Sequence, residues 1–142
     1  MSYGDEMVDV TGKVIVELRS NAAVFAIAGN RVGGRTSSAG WSGNAYVLVE
    51  RIGPIRRFPR ASFFRGRLSV TAFGRTDQEA AALYGAISDV LAGRGPRQSA
   101  GGVALYRSEE EVGGQAVLDP DNDQPAERSI YIYSAPLAQA GS

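Results

Sequence analysis

The chain has 142 residues with neither cysteine nor histidine, and its 15 basic and 15 acidic side chains leave no formal net charge. A domain of that length buries roughly two-thirds of the surface its unfolded form exposes. The missing residue types exclude disulfides, thiolate zinc sites, cysteine nucleophiles and the histidine that most often serves as general base or metal ligand.

Met7, Val10, Val14, Leu18 and Ala22 recur at spacings of three and four, with Ile15 widening the stripe, and predict an amphipathic N-terminal helix. Asp5 or Asp9 is placed to cap it. No cationic leader precedes an apolar run, so no signal peptide is expected, and no apolar stretch approaches the ~20 residues that span a bilayer. The apolar turn Ala22 to Ala28, stopped by Gly29-Asn30, predicts a second brief helix with a left-handed C-terminal cap. Gly33 to Asn44 (GGRTSSAGWSGN) is a loop by composition and is expected to be mobile. Trp41 within it either folds back onto the core or stands out as an anchor for a partner, a role in which tryptophan is enriched.

Ala45 to Ile52 is rich in strand formers, with Tyr46, Leu48 and Glu50 on one face and Val47, Val49 and Arg51 on the other, and Gly53-Pro54 is expected to end it. Ile55 to Arg67 interleaves arginines with Phe58, Phe63 and Phe64, after which Leu68, Val70 and Ala72 alternate with Ser69 and Thr71 as a half-buried strand. Thr76 and Glu79 form a capping box. The helix behind it buries Ala80, Leu83, Ile87 and Val90 or Leu91, and Gly93 with Pro96 stops it. Arg97 to Gly102 reads as a connection, and Val103 to Tyr106, Ala116 to Leu118 and Ser129 to Ser134 as strands. Arg107 to Arg128 is otherwise expected to hold a second mobile loop. These elements predict one α+β domain over residues 1–142, with a largely antiparallel sheet and helices packed on one face.

Charge is sorted along this chain. From Arg51 to Arg75 there are seven arginines and no acid, and from Glu109 to Glu127 seven acids and no base. Such blocks are either solvated surface or complementary faces that meet between identical copies, and a head-to-tail contact of that kind makes a ring or a filament. The residues singled out for interaction are Trp41, the arginines Arg56, Arg57, Arg60 and Arg65, expected on one side of the molecule, and the acids Glu109, Glu110, Glu111, Asp119 and Asp121.

Chemical motifs fail on inspection. Asp119, Asp121 and Asp123 have the opening spacing of a calcium loop, but position six is Gln124 and position twelve is Ile130, where glycine and glutamate belong. Neither a phosphate loop nor a dinucleotide glycine pattern is present. The run Glu109-Glu110-Glu111 has no apolar setting that would separate the pKa values of an acid and a base. No enzyme activity, metal or cofactor is therefore expected. The arginine and phenylalanine interleaving has the composition of a single-strand nucleic-acid surface, yet zero net charge argues against one, and no specific nucleic-acid binding is expected.

The segment Arg65 to Leu91 (RGRLSVTAFGRTDQEAAALYGAISDVL) joins a polar strand to a capped amphipathic helix. Before it, Ser20 to Val32 (SNAAVFAIAGNRV) leads from the first helix through an apolar turn to an Arg-Val step, and Arg128 to Tyr133 (RSIYIY) closes the chain with a strand. In this order the chain, over about residues 9 to 134, resembles the tail terminator (tail completion) proteins of long-tailed bacteriophages. The resemblance implies a ring, usually of six copies, that caps the head-proximal end of the tail tube, stops its polymerisation and presents a docking surface to head-completion (neck) proteins. Its implied partners are further copies of itself, the tail tube protein and a neck protein, with no membrane. Its implied place is the tail-neck junction of the virion, reached by assembly in the host cytoplasm. Another head-tail joining protein, a tail tube subunit or a nucleic-acid-binding accessory module are the alternatives.

Overall fold

A capping residue divides the N-terminal apolar stripe. In the computed structural model, which describes residues 10–58, 60, 63–91, 97–98, 104–105, 107–118 and 124–136, α1 spans Val10–Ser20 and α2 spans Ala22–Ala28. Asn21 between them has extended backbone, and its side-chain oxygen accepts from the N–H groups of Ala23 and Val24 at 3.0 and 3.1 Å. Two of the donors that a helix start leaves open are thereby satisfied. The stripe expected to continue to Ala22 ends at the buried Leu18, and Ala22 is exposed. Gly29 stops α2 at φ 59°, ψ −134°. That is a positive-φ stop, but it lies outside the left-handed helical region, in a part of conformational space open essentially to glycine alone.

The remaining elements are β1 (Val32–Gly33), α3 (Arg35–Ser38), β2 (Tyr46–Phe58), β3 (Phe63–Phe73), α4 (Asp77–Leu91), β4 (Arg97–Gln98), β5 (Ala104–Leu105), β6 (Arg107–Leu118) and β7 (Pro125–Pro136). Five strands form one sheet in the order β1-β2-β3-β7-β6, antiparallel except for the two-residue parallel pairing of β1 with β2, and β4 pairs separately with β5. One face of the sheet, carrying Val47, Val49, Leu68, Val70 and Tyr131, packs against Val14 and Leu18 of α1, Val24 of α2 and Leu83, Ile87 and Leu91 of α4. The fold is α+β, with its three longer helices on one face.

Two expectations about the strands are corrected. Gly53-Pro54 does not end β2, which runs to Phe58 with a register shift between Ile52 and Arg56. Gly53 has φ 69°, and residues 53 to 55 have no register partner, so a proline that lacks an N–H is accommodated within a bulge of an outer strand. The segment Arg107 to Arg128, read as a loop, is mostly strand, with β6 shifting register on either side of Val112. Those irregularities break the period-two signal and hid the strand in the sequence. Likewise Gly33 to Asn44 contains α3 and a series of turns. Met7, the proposed caps Asp5 and Asp9, the stop at Gly93 and Pro96, and the acids Asp119 and Asp121 lie outside the described residues.

Candidate assembly surfaces

The strand order puts the outer members of the two charge blocks on opposite sides of one sheet, with Arg65 and Arg67 on β3 between them. Arg51, Arg56 and Arg57 lie on β2, and Glu109, Glu110 and Glu111 on β6, with β3 and β7 between them. Three strand spacings put the two strands roughly 14 Å apart, beyond the ~8 Å screening length of physiological salt. Internal neutralisation between them is therefore weak. The blocks are also level: Arg51 pairs with Leu68, Leu68 with Tyr131 and Tyr131 with Glu110, so one register row runs from a basic residue at one side to an acidic residue at the other.

Among the described residues, β1 covers β2 only at Val47 and Leu48, and β6 has a strand neighbour only in β7. The outer half of β2 and all of β6 thus present open backbone edges. Uncontrolled pairing at such edges is a hazard, which charge, proline and bulges reduce. Both edges carry these devices, β2 in its arginines, Pro54 and bulge, and β6 in its acids and register shifts.

The face of the sheet away from the helices has an apolar end and a cationic end. At the apolar end Tyr46 stacks on Phe73 with ring centroids 4.3 Å apart, and Leu48 and Ala126 complete a small cluster. Trp41 packs half-buried against it, tilted on Tyr46 at 5.9 Å. The loop that carries Trp41 is held in place: Gly43 N–H donates to Gln124 Oε1 at 3.2 Å, and Gln124 Nε2 donates to the Asn44 carbonyl at 2.7 Å. Arg35 also reaches across to Glu50 through two hydrogen bonds of 3.0 and 2.9 Å.

At the cationic end, Arg56 on β2 is directly opposite Arg65 on β3, and both guanidiniums lie over the Phe58 ring, at 5.0 and 5.6 Å from its centroid. Arg67 shares the Arg65 face by strand alternation. Further along the same face Arg128 donates to Ser69 Oγ at 2.9 Å. Lying on the same side of the sheet does not put Arg56, Arg57, Arg60 and Arg65 on one face. Arg57 pairs with Phe64, whose ring is buried in the core beside Tyr133, so Arg57 belongs to the helix-bearing face, and Arg60 sits exposed in the β2–β3 connection. Arg67 and Arg128 were passed over in the sequence, although the alternation of Arg65 and Arg67 in a strand already placed those two together.

On the helical side Val16 and Phe25 are 43 % and 51 % exposed. At the start of α4, Thr76 Oγ1 accepts from the Glu79 N–H at 3.1 Å, as the capping box requires. The Glu79 carboxylate does not return to the Thr76 N–H but takes the Arg75 N–H and guanidinium at 2.7 to 2.9 Å. Those hydrogen bonds from Arg75 hold the Glu79 carboxyl down to about 2 from an ordinary value of 4.5. Among the described residues no cluster of acids has the make-up of a metal site, and no helix is long and apolar enough to cross a membrane.

No protein-family model and no curated protein sequence matches the chain. Its fold does match that of a chain in the solved virion of a native gene transfer agent particle, with a TM-score of 0.65 and 16 % identity over 92 % of this chain and 95 % of that one. At that identity the two chains share a fold over nearly their whole lengths.

Proposed function

We propose that this chain is a structural subunit of a phage-like virion that assembles head to tail through the two sides of its sheet, and that it acts as a tail terminator. The observation that carries the reading is the level placement of basic β2 and acidic β6 on opposite edges of one sheet. In the order β2-β3-β7-β6 each strand is antiparallel to the next, so β6 runs antiparallel to β2. A second copy set beside the first in the same orientation therefore brings its β6 antiparallel to the first copy's β2, which is the better hydrogen-bonded arrangement. That contact is heterologous, and it closes into a ring when the rotation per copy permits.

The fold shared with a chain of a gene transfer agent virion, and the sequence resemblance to tail terminators, support the choice of a virion ring over other head-to-tail assemblies. In this reading the ring of six copies seats on the tail tube at the tail-neck junction, ends its growth and receives a neck protein, without enzymatic chemistry.

Electron microscopy of the purified protein, alone and mixed with tail tubes, tests the proposal. Closed rings of uniform diameter on one end of the tubes, with growth stopped, are the expected result. A monomer that neither closes into rings nor attaches to tubes would overturn it, and a protein that itself polymerises into long tubes would make it a tube subunit.

A further inference from the structure

We infer that the cationic end of the uncovered sheet face, built from Arg56, Arg65 and Arg67, binds the phosphate backbone of nucleic acid without reading its sequence. This inference concerns a face of the sheet, whereas the assembly reading concerns its edges. Neither depends on the other.

Arg56 and Arg65 are cross-strand partners, which puts their side chains roughly 5 Å apart, and like charges in that relation destabilise a sheet. The register row they occupy continues through Ser134 to Arg107, so no carboxylate stands in it. Arg67 follows Arg65 at two residues, roughly 7 Å along the same face. Arg56, Arg65 and Arg67 are all exposed. Phe58 beneath the Arg56 and Arg65 guanidiniums holds two planar groups by cation–π attraction. A fixed guanidinium fork matches a phosphate bidentately better than a lysine does.

A linear polyanion fits this face better than the acids of another copy do. Glu109, Glu110 and Glu111 stand on the outer strand β6, where by register Glu109 shares the Arg67 row beyond Ile132, and edge-to-edge pairing of copies brings β6 to a neighbour's β2 edge rather than across its face. The contacts fall on backbone phosphates because the face offers charge and planar forks without the groove-reading element that base discrimination needs.

Fluorescence anisotropy with a labelled 20-nucleotide single strand and a 20-base-pair duplex, each of mixed sequence, tests the inference between 50 and 300 mM KCl. Binding of both is expected, with little sequence preference. The slope of log affinity against log salt should be about −2 to −3, as three phosphate contacts give. Arg56→Gln with Arg65→Gln should weaken binding at least tenfold and reduce the slope by about two, while Arg19→Gln on α1, on the other side of the sheet, leaves the slope unchanged. Circular dichroism melts of each variant establish that the fold persists.

Absence of binding at 50 mM salt would overturn the inference. So would affinity and slope that are unchanged in the double variant. If the double variant instead loses only self-association in sedimentation, the face meets another copy and the nucleic-acid assignment is wrong. Ring formation is scored in the same sedimentation runs, so failure of nucleic-acid binding and failure of assembly are read separately.

Discussion

Gly66 is a residue whose importance lies in what it lacks. It pairs with Tyr133 across β3 and β7 on the helix-bearing face, and a Cβ built on it would stand 2.5 Å from the Tyr133 hydroxyl oxygen and 2.7 Å from the ring carbon that bears it. Both distances are shorter than van der Waals contact, so the tyrosine ring occupies the space that any side chain at position 66 would need. Glycine in a strand interior ordinarily weakens it. Here Tyr133, buried with Phe64 edge-on at 6.1 Å, fills the gap instead. Gly66→Ala should therefore cost about 1 to 3 kcal/mol in urea titration, the usual range for overpacking a core. A loss below ~0.5 kcal/mol would mean that Tyr133 swings away freely. Nothing in the sequence marked this pair, because a glycine between two arginines reads as a turn until its cross-strand neighbour is known.

At the scale of elements, α4 was legible nearly to the residue. Its capping box and its apolar spacing agree locally, and Ala80, Leu83, Ile87 and Leu91 are all buried as the period requires. The strands were legible only where alternation is unbroken, as in Leu68 to Ala72. Bulges in β2 and β6 displaced the expected ends: β2 takes up two extra residues and stays in phase, whereas each shift in β6 adds one residue and moves the alternation to the other face, and short-range pattern anticipates neither. Trp41 was legible as a decision between two fates. Tyr46 and Gln124, the latter about 80 residues away along the chain, hold Trp41 half-buried and its loop against the sheet.

The α4 cap also sets a pH dependence. Glu79 is held at about 2 by Arg75, a depressed value, so the stability it contributes is complete above about 4.5 and is lost as pH falls from there towards 2. Thr76→Ala should cost about 1 kcal/mol at neutral pH. Wild type should melt above Glu79→Gln at pH 7, and the gap should narrow steadily below about pH 4.5. A gap that stays constant down to pH 3 would show that the carboxylate's charge plays no part in holding the cap.

For the whole molecule, the informative quantity is where its charges sit, since the totals cancel. The sequence showed two blocks but not their separation, because strand order is a long-range property. With β3 and β7 between them, basic β2 and acidic β6 cannot close on each other, and the molecule has a basic side and an acidic side. Exposed ion pairs contribute at most ~1 kcal/mol each, so selection of one neighbour rests on repetition of the same contact around a closed assembly and on backbone pairing at the edge. Interfacial charge mainly sets orientation and encounter rate. Arg51→Glu should therefore impair self-association in analytical ultracentrifugation without lowering the melting temperature of the monomer, and Glu110→Arg should do the same, since the two positions share a register row. The double variant Arg51→Glu/Glu110→Arg should regain association. So should an equimolar mixture of the two single variants, because copies that alternate around an even-numbered ring restore an opposite-charge pair or leave the native one at every contact. If neither the double variant nor the mixture recovers, while both single variants stay folded, the two edges do not meet in the assembly.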